Sequence, residues 1–138
     1  MAEILQGQCL CGAVKYRVAA APKWSAHCHC SLCRRAHGAP FVTWVGVPLE
    51  AFKIVDGEPT LRWFASSAQA KRGFCSQCGT PLFFHGEKWA DEMHIARATL
   101  DTPITLLPQA HVYYDTHVGW AQCDDHLPRY DEYGKAMP

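Results

Sequence analysis

Seven of the eight cysteines in this chain fall into three tight groups, and that grouping restricts the available folds more than any other feature. Cys9 and Cys11 come first, then Cys28, Cys30 and Cys33, then Cys75 and Cys78, while Cys123 stands alone. The start of the chain, "MAEILQGQCLCGAVKY", lacks a basic stretch followed by an apolar one, so the expected setting is the cytoplasm. Thiols are kept reduced there, and cysteines clustered in short motifs point to metal before disulfides.

"CLCG" places Cys9 and Cys11 two residues apart, which on a strand turns both sulfurs to one face. "FCSQCGTP" is a CxxC turn in which Gly79 can take a positive φ directly after Cys78. Neither pair alone completes a tetrahedral ion. Together Cys9, Cys11, Cys75 and Cys78 make an all-thiolate set of the kind that selects zinc and leaves no position for substrate. That is the expectation of a structural site. The plain alternatives are two disulfides or four reduced, buried thiols.

In "AHCHCSLCRRAHG" a CxC and a CxxC share their middle cysteine, so Cys28, Cys30 and Cys33 can converge from one short stretch. Three thiolates leave one zinc position to fill. The candidates are a histidine, a water or substrate thiol, Cys123, or no metal at all, with a redox pair and a spare. His27 and His29 alternate with the thiols and should face the other way on a strand. His37 lies beyond a turn and remains a possible ligand. Cys123 has no ligand-like spacing around it and reads as an ordinary half-buried cysteine. Three protein ligands with an open fourth position is the usual pattern of catalytic zinc, and Cys28, Cys30 and Cys33 are taken as the catalytic set.

At 138 residues the chain fits one domain, expected as a core of about 5–122 with a C-terminal tail at 123–138. Zero formal net charge argues against nucleic-acid and anionic-membrane partners, and no apolar run is long enough to span a bilayer. Glycines and prolines punctuate short aromatic and β-branched runs. "AVKYRV" (13–18), "PFVTWVGV" (40–47), "AFKIV" (51–55), "LRWFAS" (61–66), "TPLFFH" (80–85) and "HVYYD" (111–115) read as strands. "DEMHIARATL" (91–100) is ambiguous and is assigned to strand from its neighbours. "DGE" at 56–58 reads as a hairpin turn. Ser31 is placed as the cap of one helical turn stopped by Gly38. The tail from Asp124 reads as loop. The fold class is mainly β: an antiparallel, zinc-stabilised domain with short helical turns.

The segments "GQCLCGAVKY", "HCHCSLCRRAHGAPFVTWV", "FKIVDGE", "FCSQCGTPLFF", "HVYYDTHVGW" and "LPRY" together resemble the glutathione-dependent formaldehyde-activating enzyme family, also called centromere-protein-V-like. They cover nearly the whole chain. The resemblance implies a β-tent fold built on zinc, with a structural ion on Cys9, Cys11, Cys75 and Cys78. It implies a second, catalytic zinc on Cys28, Cys30 and Cys33. The implied activity is carbon–sulfur lyase chemistry on a thiol–aldehyde adduct such as S-hydroxymethylglutathione, with glutathione as the candidate thiol.

Arg34 and Arg35 follow Cys33 and could pair with the carboxylates of a peptide-like thiol, since a guanidinium fork suits carboxylate. Offsetting thiolate charge or facing solvent is the equal alternative. His37, His111 and Trp120 are candidates for lining the pocket, with packing the simpler role for each. Two other classes stay open. One is a zinc-stabilised binding module without catalysis. The other is a thiol-redox or zinc-sensing protein whose Cys28, Cys30 and Cys33 cluster oxidises and ejects metal.

Overall fold

The computed structural model describes residues 4–138. Period-two alternation sets its strands. In β1 (Leu5–Gln8) and β2 (Lys15–Val18), Leu5, Tyr16 and Val18 turn inward while Gln6, Lys15 and Arg17 face solvent. The two strands pair antiparallel, and β5 (Phe52–Asp56) joins β2 to complete a three-stranded sheet.

The second sheet has nine strands. These are β3 (Trp24–Cys28), β4 (Val42–Pro48), β6 (Leu61–Ser67), β7 (Ala70–Cys75), β8 (Pro81–Gly86), β9 (Glu92–Ala96), β10 (His111–Val112), β11 (Arg129–Tyr130) and β12 (Ala136–Met137). Their order is β12-β11-β10-β3-β4-β9-β8-β7-β6. Pairing is antiparallel except where β10 lies parallel to β3 and to β11. The chain is thus mainly β, as its sequence suggests, with one short helix, α1 (Ser31–His37).

The large sheet is apolar on both faces, and each face has its own partner. Val45 and Val47 of β4, Met93 and Ile95 of β9 and Phe83 of β8 form one core with Leu5, Val14, Tyr16 and Val18 from the small sheet. Their strand neighbours Val42, Trp44, Phe84 and Ala96 look the other way and pack with Cys28 and Cys33. Both faces being covered explains why β9 is buried at every position, and why its period was hard to read as strand or helix.

Several sequence expectations change. Gly57 does take a positive φ (79°), but the Asp-Gly turn closes no hairpin. β5 pairs with β2 and β6 with β7, so the turn carries the chain from one sheet to the other. A side chain at Gly57 would strike the carbonyl of Ala13. The expected strand at 111–115 stops at Val112, because its partner β3 ends at Cys28; Tyr113 turns left-handed (φ 53°) into a single helical turn, Tyr114–Thr116. The tail is not all loop. β11 and β12 form a tight hairpin in which Asp131 accepts the N–H of Tyr133 and of Lys135 at 2.9 and 2.8 Å. Strands β1, β3 and β7 carry too few apolar residues, or too many thiols and charges, to stand out beforehand.

Candidate metal centres and the adjoining cavity

The first cysteine set gathers at one end of the core between the sheets. Cys75 is the last residue of β7, and the chain turns so that Gly79, at φ 79°, returns its N–H to the Cys75 carbonyl at 2.7 Å. Cys9 follows β1, but Cys9–Cys11 lies in a turn rather than on the strand expected, closed by the Gly12 N–H on the Cys9 carbonyl. Backbone N–H groups of Val14 and Cys78 point at the sulfurs of Cys9 and Cys75 at 3.3 and 3.4 Å.

The sulfurs of Cys9 and Cys11 stand 3.7 Å apart and those of Cys11 and Cys75 3.8 Å apart. Zinc–sulfur bonds of about 2.3 Å at tetrahedral angles put neighbouring sulfurs about 3.8 Å apart, whereas a disulfide needs about 2.05 Å. All four sulfurs lie within 4.8 Å of one another and all are free thiols, so the donor set fits a zinc-sized ion. Burial works against ionisation of Cys9, but the Val14 N–H and its thiol neighbours bring it below the usual thiol value. The Thr80 hydroxyl takes Cys78 down to about 5.

The second set sits on the opposite face of the large sheet. β3 ends at Cys28, so Cys28 and Cys30 do not share a strand face. Cys30, not Ser31, caps α1, and its sulfur accepts the Cys33 N–H at 3.2 Å. This cap is the reason the stretch converges: it brings Cys33, one turn into the helix, back towards the strand end. The three sulfurs lie within 4.8 Å of one another, with Cys28 and Cys33 buried. Their protons compete. Cys30 is held far below its usual value because the thiols of Cys28 and Cys33 donate to it, and Cys28 is pushed far up by its two sulfur neighbours. Ionising all three at this spacing would need a cation between them to offset the repulsion, so the set could hold a metal ion.

Arg72, from β7, supplies further positive charge. Its two terminal N–H groups donate to the Cys33 sulfur at 3.5 and 3.6 Å, and it is 9% exposed. Its Nε has no partner, and its guanidinium lies 5.0 Å from the centre of the Phe84 ring. Nothing in the local sequence "AKRGFC" marks Arg72 as a site residue; only its place three residues before Cys75 connects it to a cluster.

The second cluster opens into a cavity of about 670 Å³. Cys28, Cys30 and Cys33 line one part of it, with Arg72 beside them, and Trp24, Trp44, Phe84 and Trp89 form aromatic walls. Trp24 is fixed by its indole N–H on Glu92 Oε1 at 3.2 Å, and His94 donates its Nε2–H to the same carboxylate oxygen at 3.0 Å.

The other residues singled out from sequence fall outside the cavity walls. Arg34 and Arg35 occupy α1 beyond Cys33, neither lines the cavity, and the guanidinium beside the thiols is that of Arg72. His37 does not join the cysteines; its ring packs edge-on to Trp44 with centres 5.3 Å apart. Burial beside Arg72 lowers its pKa to about 4. Trp120 is 75% exposed and away from the cavity.

His27 points away from Cys28, as alternation on β3 requires, and His29, one residue past the strand end, packs against His111 rather than the thiols. His111 is fully buried against His29, not on the cavity wall. Cys123, expected to stand alone, lies with His29 and His111 as a third close group. His29 Nε2 and His111 Nδ1 are 2.7 Å apart, and His111 Nε2 meets Asp125 at 2.8 Å. Two nitrogens on one zinc stand about 3.3 Å apart, so this spacing is that of a hydrogen-bonded chain. It ties β3, β10 and the C-terminal tail together, and sequence separation hid it.

A family model described as glutathione-dependent formaldehyde-activating enzyme matches residues 4–116. A Halomonas elongata protein provisionally named as such an enzyme is 24% identical over 128 residues, 88% of this chain and 82% of its own length. An uncharacterized lyase of Schizosaccharomyces pombe is 35% identical over 85 residues, 57% of this chain and 56% of its own. A solved Rhodobacter sphaeroides structure superimposes with a TM-score of 0.61 at 26% identity, covering 72% of this chain and 91% of that one.

Proposed function

The chain belongs to the glutathione-dependent formaldehyde-activating enzyme family, and on that premise we propose that it is a zinc-dependent carbon–sulfur lyase acting on thiol–aldehyde adducts of the S-hydroxymethylglutathione type. One observation carries the reading: three convergent thiols, one short of a tetrahedron, face a cavity large enough for a small molecule. In this reading Cys9, Cys11, Cys75 and Cys78 hold a structural zinc, and Cys28, Cys30 and Cys33 hold a second one. Zinc held by Cys28, Cys30 and Cys33 would supply an open position that takes the substrate sulfur as thiolate.

The chain's own groups do the rest. Arg72 offsets the negative charge of the cysteine sulfurs and stabilises the sulfur anion of the leaving thiol. That anion forms as the adduct's C–S bond breaks with its electron pair moving to sulfur, while the hydroxyl proton passes to solvent water at the cavity mouth and the carbon–oxygen double bond forms. The aromatic walls exclude water and hold the two fragments together, which also favours the reverse, joining reaction. An open cavity supports an enzyme over a closed binding module.

The test is exchange NMR on a mixture of formaldehyde, glutathione and their adduct. The purified protein should accelerate interconversion, and Cys30→Ser should abolish the acceleration while leaving the fold intact. No acceleration with this adduct or with adducts of other thiols, by protein carrying metal at both cysteine sets, would refute the lyase reading.

A further inference from the structure

The cavity beside the second cluster has a composition that bears on which thiol it takes. Moving from Cys28 along β3, Ala26 stands opposite Trp44 and Trp24 opposite Gly46. Cys28 and Trp24 are four residues apart, about 13 Å of strand. Across the sheet, Phe84 pairs with His94 and their rings stack, with centres 5.6 Å apart. Trp89 closes the far end, 6.1 Å from Phe84 and 5.3 Å from His94 between ring centres. The walls are therefore a run of aromatic rings leading away from the thiols. They are held in place by one another and by the Trp24 hydrogen bond to Glu92.

Charge around the cavity has the opposite sign to what glutathione requires. A peptide thiol with two carboxylates and one ammonium needs free cations. The lining cations are Arg72, engaged with Cys33, and Lys88, whose ammonium lies 5.0 Å from the centre of the Trp89 ring. Four carboxylates, Glu87, Asp115, Asp131 and Glu132, line the same cavity. Glu87, Asp115 and Glu132 are exposed and Asp131 is half-buried, so acidic groups outnumber the lining cations four to two and disfavour an anionic ligand there.

We propose that the thiol half of the substrate is by preference a ring-bearing, apolar thiol that is uncharged or cationic, taken at lower concentration than glutathione. This rests on the lyase reading and names the substrate class of the same site. The ring stacks among Trp44, Phe84, Trp24 and Trp89 while the sulfur lies at the cysteines.

The experiment titrates the zinc-loaded, full-length protein with three thiols, following intrinsic tryptophan fluorescence: benzyl mercaptan, 2-mercaptoethanol and glutathione. Benzyl mercaptan should half-saturate at a concentration about tenfold or more below either of the others, a difference of about 1.4 kcal/mol. Trp89→Ala, at a half-buried position in a short helical turn, should bring benzyl mercaptan to within about threefold of 2-mercaptoethanol and leave the latter unchanged. Trp24→Phe, which keeps a ring, should retain most of the preference. Glutathione binding as tightly as benzyl mercaptan, or Trp89→Ala weakening all three thiols alike, would overturn the proposal. If 2-mercaptoethanol binds and the ring adds nothing, this inference alone fails. If none of the three binds, the lyase reading fails and this inference with it.

Discussion

Substituting one cysteine in each cluster tests whether the first set holds a fold-stabilising metal and the second a working one. Cys75 is 0% exposed, lies in the core between the two sheets and ends β7. Structural zinc sites contribute about 10–16 kcal/mol of apparent binding free energy near neutral pH, comparable with the whole stability of a domain, about 5–15 kcal/mol. Losing one of four thiolates should forfeit at least about 5 kcal/mol of that. For a domain of this length the loss is worth about 20 °C in Tm, or failure to fold. Cys30 differs. It caps α1, and its sulfur accepts the Cys33 N–H. Serine is among the best N-cap residues, so Cys30→Ser keeps the cap while removing a thiolate. Its Tm should fall by less than about half the Cys75→Ser drop. Metal analysis and thermal melts read both outcomes. Wild type should carry about two zinc ions and Cys30→Ser about one. A Cys75→Ser protein melting within about 4 °C of wild type with unchanged metal would refute the structural assignment, and unchanged metal in Cys30→Ser would refute the second site.

Three further outcomes follow from the geometry. Gly57→Ala combines a left-handed backbone (φ 79°) with a clash on the Ala13 carbonyl, so it should cost at least about 2 kcal/mol in a denaturant titration. Asp125→Ala leaves the Nε2 of the fully buried His111 without its carboxylate partner and should cost about 1–3 kcal/mol by the same titration, with faster proteolysis of the tail. His94 is held below its ordinary value of 6.5, chiefly by burial, with Glu92 pulling the other way. The unfolded chain therefore takes up this proton first as pH falls below about 6.5, and stability drops through that window. Between pH 7 and 5, wild type should lose more Tm than His94→Gln, and equal losses would contradict the assignment.

The cysteine pattern told most about the site because thiols are rare and their spacing has few uses. It paired Cys9 and Cys11 with Cys75 and Cys78 across about half the chain, and it left Cys28, Cys30 and Cys33 one ligand short. The strands with a clear aromatic or β-branched run were legible for a similar reason. What stayed hidden depended on long-range contact. Arg72 sits in "AKRGFC" like any surface arginine of a strand, and only the packing of β7 near α1 brings it to Cys33. His29 and His111 meet through the parallel pairing of β3 and β10, which no local period encodes. The Asp56–Gly57 dipeptide announced a positive φ correctly but not which strands it joined, since a crossing between sheets needs the same backbone as a hairpin.

Strand β7 links the two cysteine clusters physically. Arg72 and Cys75 are three residues apart, an odd spacing that sends their side chains to opposite faces of the large sheet. Arg72 reaches Cys33 on the cavity side, while Cys75 joins the first set on the core side. The end of β7 is therefore anchored by the first cluster, and the guanidinium that balances the second cluster is carried on the same rigid segment. Among the described residues the Arg72 side chain hydrogen-bonds to one partner, the Cys33 sulfur, and its Nε is unpaired, so its position depends on backbone anchoring more than on its own hydrogen bonds. A metal that only held the fold together would still set the charge beside Cys28, Cys30 and Cys33, because the strand it fixes delivers that charge.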